Sequence, residues 1–172
     1  MFFPIGDDQI RGGSYPIFSY TFLVLNVLVF LWEVSLDPVA QMAFLNQYSA
    51  IPAYIESGDH LHTLVTSMFL HGGWLHLIFN MLFLWVFADN IEATIGNVTF
   101  FCFYIMGGII ASLAHIYFNS GSEIPSLGAS GAISGVLGAY LVMFPKSKVK
   151  VMLFLVIIFR RITMRAVTFL GI

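Results

Sequence analysis

A histidine, an asparagine and a serine stand where polar side chains are costly. His76 and Asn80 lie in His71-Gly72-Gly73-Trp74-Leu75-His76-Leu77-Ile78-Phe79-Asn80, and Ser130 lies in Gly128-Ala129-Ser130-Gly131. Each motif opens an apolar stretch long enough to enter a bilayer, and polar groups there tend to be functional. Their types suggest nucleophilic attack on a buried peptide bond. If a helix starts at Trp74, His76 and Asn80 fall at i and i+4 on one face. Two convergent donors beside a serine are what an oxyanion hole needs. A serine near a helix N-terminus also has free backbone N–H groups around it. A structural alternative stands for each residue. His76 and Asn80 would glue helices together, and Ser130 would be one more small packing residue. Serine also needs a base, normally histidine. His76 could take the proton, but the oxyanion role would then be lost unless one ring serves both.

The remaining polar residues carry less. His71 sits at the outer end of its stretch, where it would support the preceding loop or gate water. His60 and His62 lie in that loop, and His115 shares a helical face with Gly107 and Ala111, where a structural hydrogen bond is expected. The spacing of His60, His62, His71 and His76 matches no strong metal-ligand pattern, so no metal and no cofactor are expected. The single Cys102 lies inside an apolar run, which leaves no disulfide framework. Gly131, Gly135 and Gly138 give the residues after Ser130 a surface for close helix packing.

The elements that must position these groups follow from composition. The 172 residues are 59% hydrophobic and 9% charged, with mean hydropathy +0.90. Soluble domains carry about 25% charged residues, so the chain is read as an integral membrane protein within a lipid bilayer. No basic patch with exposed aromatics is present, which sets nucleic acid aside as a partner. Four stretches approach the ~20 apolar residues that a spanning helix needs: 15–34, 72–91, 98–118 and 124–145. Residues 149–159 are apolar but too short to span, and Arg160, Arg161 and Arg165 follow them. An interfacial segment at 149–162 is therefore expected, with a fifth helix starting near Arg165.

Arg11 precedes the first span, and no Lys or Arg lies between residues 12 and 145. Lys146, Lys148, Lys150, Arg160, Arg161 and Arg165 all come later. The positive-inside rule places both basic ends in the cytoplasm, which an even number of crossings allows. A multi-pass protein of the cell membrane with a cytoplasmic N-terminus is expected. The second and fourth spans then both enter from the outer face, so Ser130, His76 and Asn80 sit at similar depth.

The motifs together resemble the rhomboid family of intramembrane serine proteases. Thr66 to His71 with His76 to Asn80 resembles the end of the family's first loop and its second helix. Glu92-Ala93-Thr94-Ile95-Gly96 resembles its E-x-x-x-G turn, and Gly128 to Gly131 its G-x-S-G nucleophile motif. The resemblance implies an all-α, polytopic transmembrane helix bundle whose one domain occupies 1–172, with its C-terminal helices incomplete. It implies Ser130 as nucleophile at the start of a short fourth helix. His76 and Asn80 would join the Ser130 N–H in the oxyanion hole. The substrate would be a single-span transmembrane protein; the oligomeric state is not implied. The family's base is a histidine on a sixth helix, and no histidine follows His115 here. The Gly131, Gly135, Gly138 surface would receive that sixth helix. The first loop has His62-Thr63 where many members carry a W-R pair. The alternative expectation is a catalytically inactive rhomboid-like fragment, or a pseudoprotease that binds transmembrane helices without cutting them.

Overall fold

In the computed structural model, which describes residues 2–8, 13–155 and 158–171, three helices are long and apolar enough to cross a bilayer. They are α1 (Phe18–Ser35), α5 (Trp74–Ile95) and α6 (Asn97–Phe118). Between α1 and α5 lie α2 (Pro38–Tyr48), α3 (Pro52–Glu56), α4 (Thr63–Thr66) and a 3₁₀ turn at Ser67–Phe69. After α6 come α7 (Ser130–Met143) and α8 (Ala166–Leu170). Three strands complete the fold: β1 (Phe2–Gly6), β2 (Lys148–Leu155) and β3 (Ile158–Arg165).

Local chemistry sets the ends of these elements. Asp37 caps α2 by accepting from the N–H groups of Val39 and Ala40 at 3.0 and 3.1 Å, and Pro38 opens the helix. Gly96 joins α5 to α6 at φ +85°, in the left-handed region that glycine enters without steric cost. The first turn of α1 has no cap of its own. Glu92, fully buried on α5, reaches across instead. Its carboxyl oxygens accept from the N–H groups of Ile17, Phe18 and Ser19 and from the Ser19 hydroxyl, at 2.6 to 3.0 Å.

The helices meet in an aromatic core. Phe22 of α1 stacks on Tyr104 of α6 with centroids 4.4 Å apart, and Phe87 of α5 meets Tyr140 of α7 edge-on at 4.8 Å. Helices α6 and α7 approach through small residues. A Cβ at Gly131 would fall 2.7 Å from the Cβ of Ala111, and one at Gly135 would touch the Phe103 ring at 3.8 Å. Gly131 and Gly135 therefore pack on α6, whereas sequence reasoning reserved them for a sixth helix. A Cβ at Gly138 would meet no atom of another element within 4 Å among the described residues.

The fourth expected span, 124–145, divides. Only its later residues form α7, whose 14 residues extend about 21 Å against a hydrocarbon core of about 30 Å. The residues before Ser130 are not helical, and Ser126 pairs with Ala50 through two backbone hydrogen bonds of 2.8 and 3.0 Å. The segment between α1 and α5 is thus tied to the entry of α7.

The helical class stands, with a small sheet added to it. Residues expected as an interfacial segment at 149–162 pair instead as an antiparallel hairpin, Val151 opposite Ile162, with β1 on the other side of β2; residues 156 and 157 of that stretch lie outside the described residues. The alternation Lys148, Val149, Lys150, Val151 is a period-two signal for a half-buried strand. Val149 and Val151 are buried, while Lys148 and Lys150 are exposed. Where a fifth helix was expected to start, near Arg165, the five-residue α8 occupies Ala166–Leu170. Asp7, after β1, is buried and accepts from the Tyr140 hydroxyl and the Asn90 amide, both at 2.5 Å. That network ties the N-terminal strand to α5 and α7.

Candidate active site

Two turns and a shared glycine bring the sequence motifs together. Gly73 lies just before α5 at φ +156°, a backbone conformation that residues with side chains rarely adopt, and precedes the first helical residue, Trp74. His76 and Asn80 follow on the first turns. Gly128, at φ +121°, comes from the other side. A Cβ there would fall 2.6 Å from Cε1 and 2.7 Å from Nε2 of His76, and 3.6 Å from Nδ2 of Asn80. Gly128 therefore lies directly against both side chains, and Ser130 opens α7 two residues later. The Gly128 N–H donates to the Ser67 carbonyl at 2.8 Å, which fixes the approach.

Asn80 is buried, and its partner is unexpected. Its Nδ2 lies 3.0 Å from Nε2 of His71. An amide nitrogen only donates, so Nε2 of His71 is the acceptor and that ring is neutral, with its proton on Nδ1. The His71 ring also meets the His76 ring edge-on at 5.1 Å and Phe30 of α1 at 6.4 Å. His71 is fully buried. Burial, then the neighbouring His76, pushes its pKa down from 6.5 to about 4, with the Phe69 carbonyl acting the other way. Its backbone N–H donates to Oε2 of Glu33 at 3.4 Å. Sequence reasoning placed His71 as loop support or a water gate. The side chain instead holds the Asn80 amide.

Ser130 is exposed and lines a cavity of about 150 Å³ with Ser67, Ser112, His115, Ser126 and Gly128. Its carbonyl accepts from the Ser134 hydroxyl at 2.8 Å. His115 was expected in a structural hydrogen bond, and its Nδ1 does lie 3.4 Å from the Asn119 amide nitrogen. The ring also borders the serine's cavity, which its helical position alone did not disclose. Among the described residues no group of three His, Cys, Asp or Glu side chains is arranged to hold a metal ion.

Three helices long and apolar enough to cross a membrane, with a serine, a histidine and an asparagine gathered where α5 and α7 begin, define the class as a helical, multi-pass membrane protein. Residues 58–172 match the model of the Rhomboid domain. The chain belongs to the rhomboid family. It is 34% identical over 141 residues to Rhomboid protein 1, mitochondrial, of Saccharomyces cerevisiae, covering 78% of this chain and 39% of that protein. It is 33% identical over 140 residues to Presenilin-associated rhomboid-like protein A, mitochondrial, of Danio rerio, covering 80% of this chain and 35% of the relative. It is 38% identical over 130 residues to Rhomboid protease GluP of Bacillus subtilis, covering 73% of this chain and 24% of that protein. The chain thus spans well under half the length of these three relatives.

Proposed function

We propose that this chain forms the core of an intramembrane serine endopeptidase that cleaves single-span transmembrane proteins. The observation that carries this reading is Gly128 packed against His76 and Asn80, two residues before Ser130. In this reading Ser130 Oγ attacks the scissile carbonyl carbon and its proton passes to a base. The carbonyl π electrons move onto oxygen, and His76, Asn80 and the Ser130 N–H donate to that oxyanion. Collapse expels the amine, which takes the proton, and leaves an acyl-serine that water hydrolyses. The base is the sixth-helix histidine that the family resemblance implies. The short α7 supports the reading, because a helix that starts inside the bundle opens its free N–H groups at the depth of the reaction. A glycine at 128, rather than any residue with a Cβ, lets the backbone two residues before Ser130 lie against the His76 and Asn80 side chains.

A serine-directed fluorophosphonate tests this in a full-length protein that carries the sixth-helix histidine, held in membranes. It should label the wild type and leave Ser130→Ala unlabelled, and Ser130→Ala should not cleave a transmembrane reporter. Equal labelling of both would remove Ser130 as the nucleophile. His76→Ala or Asn80→Ala should slow cleavage by about 10²–10³, and unchanged rates would return both residues to a packing role.

A further inference from the structure

The bundle contains a carboxyl group that the proposed reaction does not use. Glu33 lies near the C-terminal end of α1 and is 2% exposed. No Lys or Arg occurs between residues 12 and 145, so none of the spanning helices offers it a cation. The hydrogen bond found for its side chain is the 3.4 Å contact from the His71 N–H. One long hydrogen bond does not offset the cost of burying a carboxyl group. A residue kept at that cost within a membrane helix points to function, and its partner identifies which.

That partner is the turn that launches α5. His71 precedes Gly72 and Gly73, and its ring accepts from the Asn80 amide at 3.0 Å. One turn earlier on α1, Phe30 meets both the His71 ring and the Trp74 ring edge-on, the latter at 5.0 Å. Helix α1 therefore grips the turn twice, by Phe30 on the rings and by Glu33 on the backbone. The Asn80 amide has two N–H donors. His71 engages one, which leaves the other for an acceptor on the Gly128 side.

We propose that Glu33 is a positioning residue for the oxyanion cradle: its carboxyl oxygen holds the His71 backbone, and the His71 ring sets the orientation of the Asn80 amide. The inference rests on the protease reading above. It extends the site to a helix that contributes no group to the reacting atoms. Displacing an oriented donor by a fraction of an ångström slows the chemical step while substrate binding is spared.

The test is a set of variants of the full-length protein that carries the sixth-helix histidine, in proteoliposomes: Glu33→Ala, Glu33→Gln, and each combined with Asn80→Ala. Glu33→Ala should lower kcat about tenfold with KM unchanged. Glu33→Gln keeps a carbonyl oxygen for the His71 N–H and should restore most of the rate. In the Asn80→Ala background Glu33→Ala should cost less than about twofold, because the group it positions is gone. Full activity of Glu33→Ala, or an equal loss with and without Asn80, would overturn the proposal. A readout independent of turnover is the ¹⁵N spectrum of His71. It should show one neutral tautomer with Nε2 as acceptor, and Glu33→Ala should broaden or split it. An unaltered His71 signal in Glu33→Ala would overturn the relay while leaving the protease reading in place. Cleavage that persists in Ser130→Ala would instead remove the protease reading, and this inference with it.

Discussion

At the scale of single residues, Gly128 is the tight constraint at the candidate site. A methyl group at its α-carbon would overlap the His76 ring, and φ +121° is already hostile to side chains. Gly128→Ala should therefore push His76 and Asn80 away from the Ser130 helix. Cleavage should fall by at least about 10², with helix content retained by circular dichroism. Near-normal activity would show that the close approach is dispensable. His71 yields a second prediction, about pH. Its folded pKa of about 4 lies below its ordinary 6.5, so the unfolded chain takes up a proton first as pH falls. Its contribution is fully present above pH 6.5 and is lost progressively down to about 4. Protonation also places a hydrogen on Nε2, which can then no longer accept from Asn80. Glu33 and His76 are the titratable groups that face His71. The thermal midpoint of the wild type should fall across this window, and that of His71→Gln should fall less. Parallel curves would assign the pH dependence to other groups.

At the scale of elements, the sequence shows why some parts were legible and others not. The long helices announce themselves because about 20 apolar residues have few other fates in a chain this poor in charge. Their contents were legible too, since His76 and Asn80 need only helical spacing to share a face. Helix α7 was harder. Residues 124–129 are uncharged, and hydropathy does not distinguish an extended apolar segment from a helix. What keeps them extended is long-range pairing of Ser126 with Ala50 and of Gly128 with Ser67. The hairpin was missed for a different reason. Its arginines were weighed as a membrane cost, while the Lys-Val-Lys-Val alternation was left unread. The His71–Asn80 bond was not legible either, because its partners stand nine positions apart on either side of a glycine pair. Glu92 carries the prediction at this scale. It satisfies three N–H groups at the start of α1 from a neighbouring helix. Glu92→Ala leaves these donors buried or half-buried without their acceptor, at a cost of roughly 2–4 kcal/mol. At roughly 2–4 °C per kcal/mol, thermal unfolding in one detergent should detect this readily. Glu92→Gln, which keeps one carbonyl oxygen, should lose less. Equal melting of all three proteins would reassign the helix start to packing.

At the scale of the whole molecule, charge and site geometry must agree on one orientation. Six cations, from Lys146 to Arg165, follow α7, and the helical bundle before them contains none. Carrying such residues across a bilayer is costly, and short flanking segments rich in Lys and Arg stay in the cytoplasm. On that rule the end of α7 at Met143 is predicted to face inward and its start at Ser130 the outer side. Helix α5 must run the same way, because Gly128 meets His76 and Asn80 on its first turns while Tyr140 meets Phe87 three turns on. The same rule predicts that the loop between α1 and α5 lies outside. Single-cysteine proteins check this directly, with Cys102 replaced by alanine because it is exposed on α6. A membrane-impermeant maleimide should label Asp59→Cys in intact cells, since Asp59 is an exposed loop residue. It should label Lys146→Cys only after the membrane is opened. The opposite pattern would invert the molecule, place Ser130 nearer the cytoplasmic face, and require a substrate whose cleavage site lies on that side.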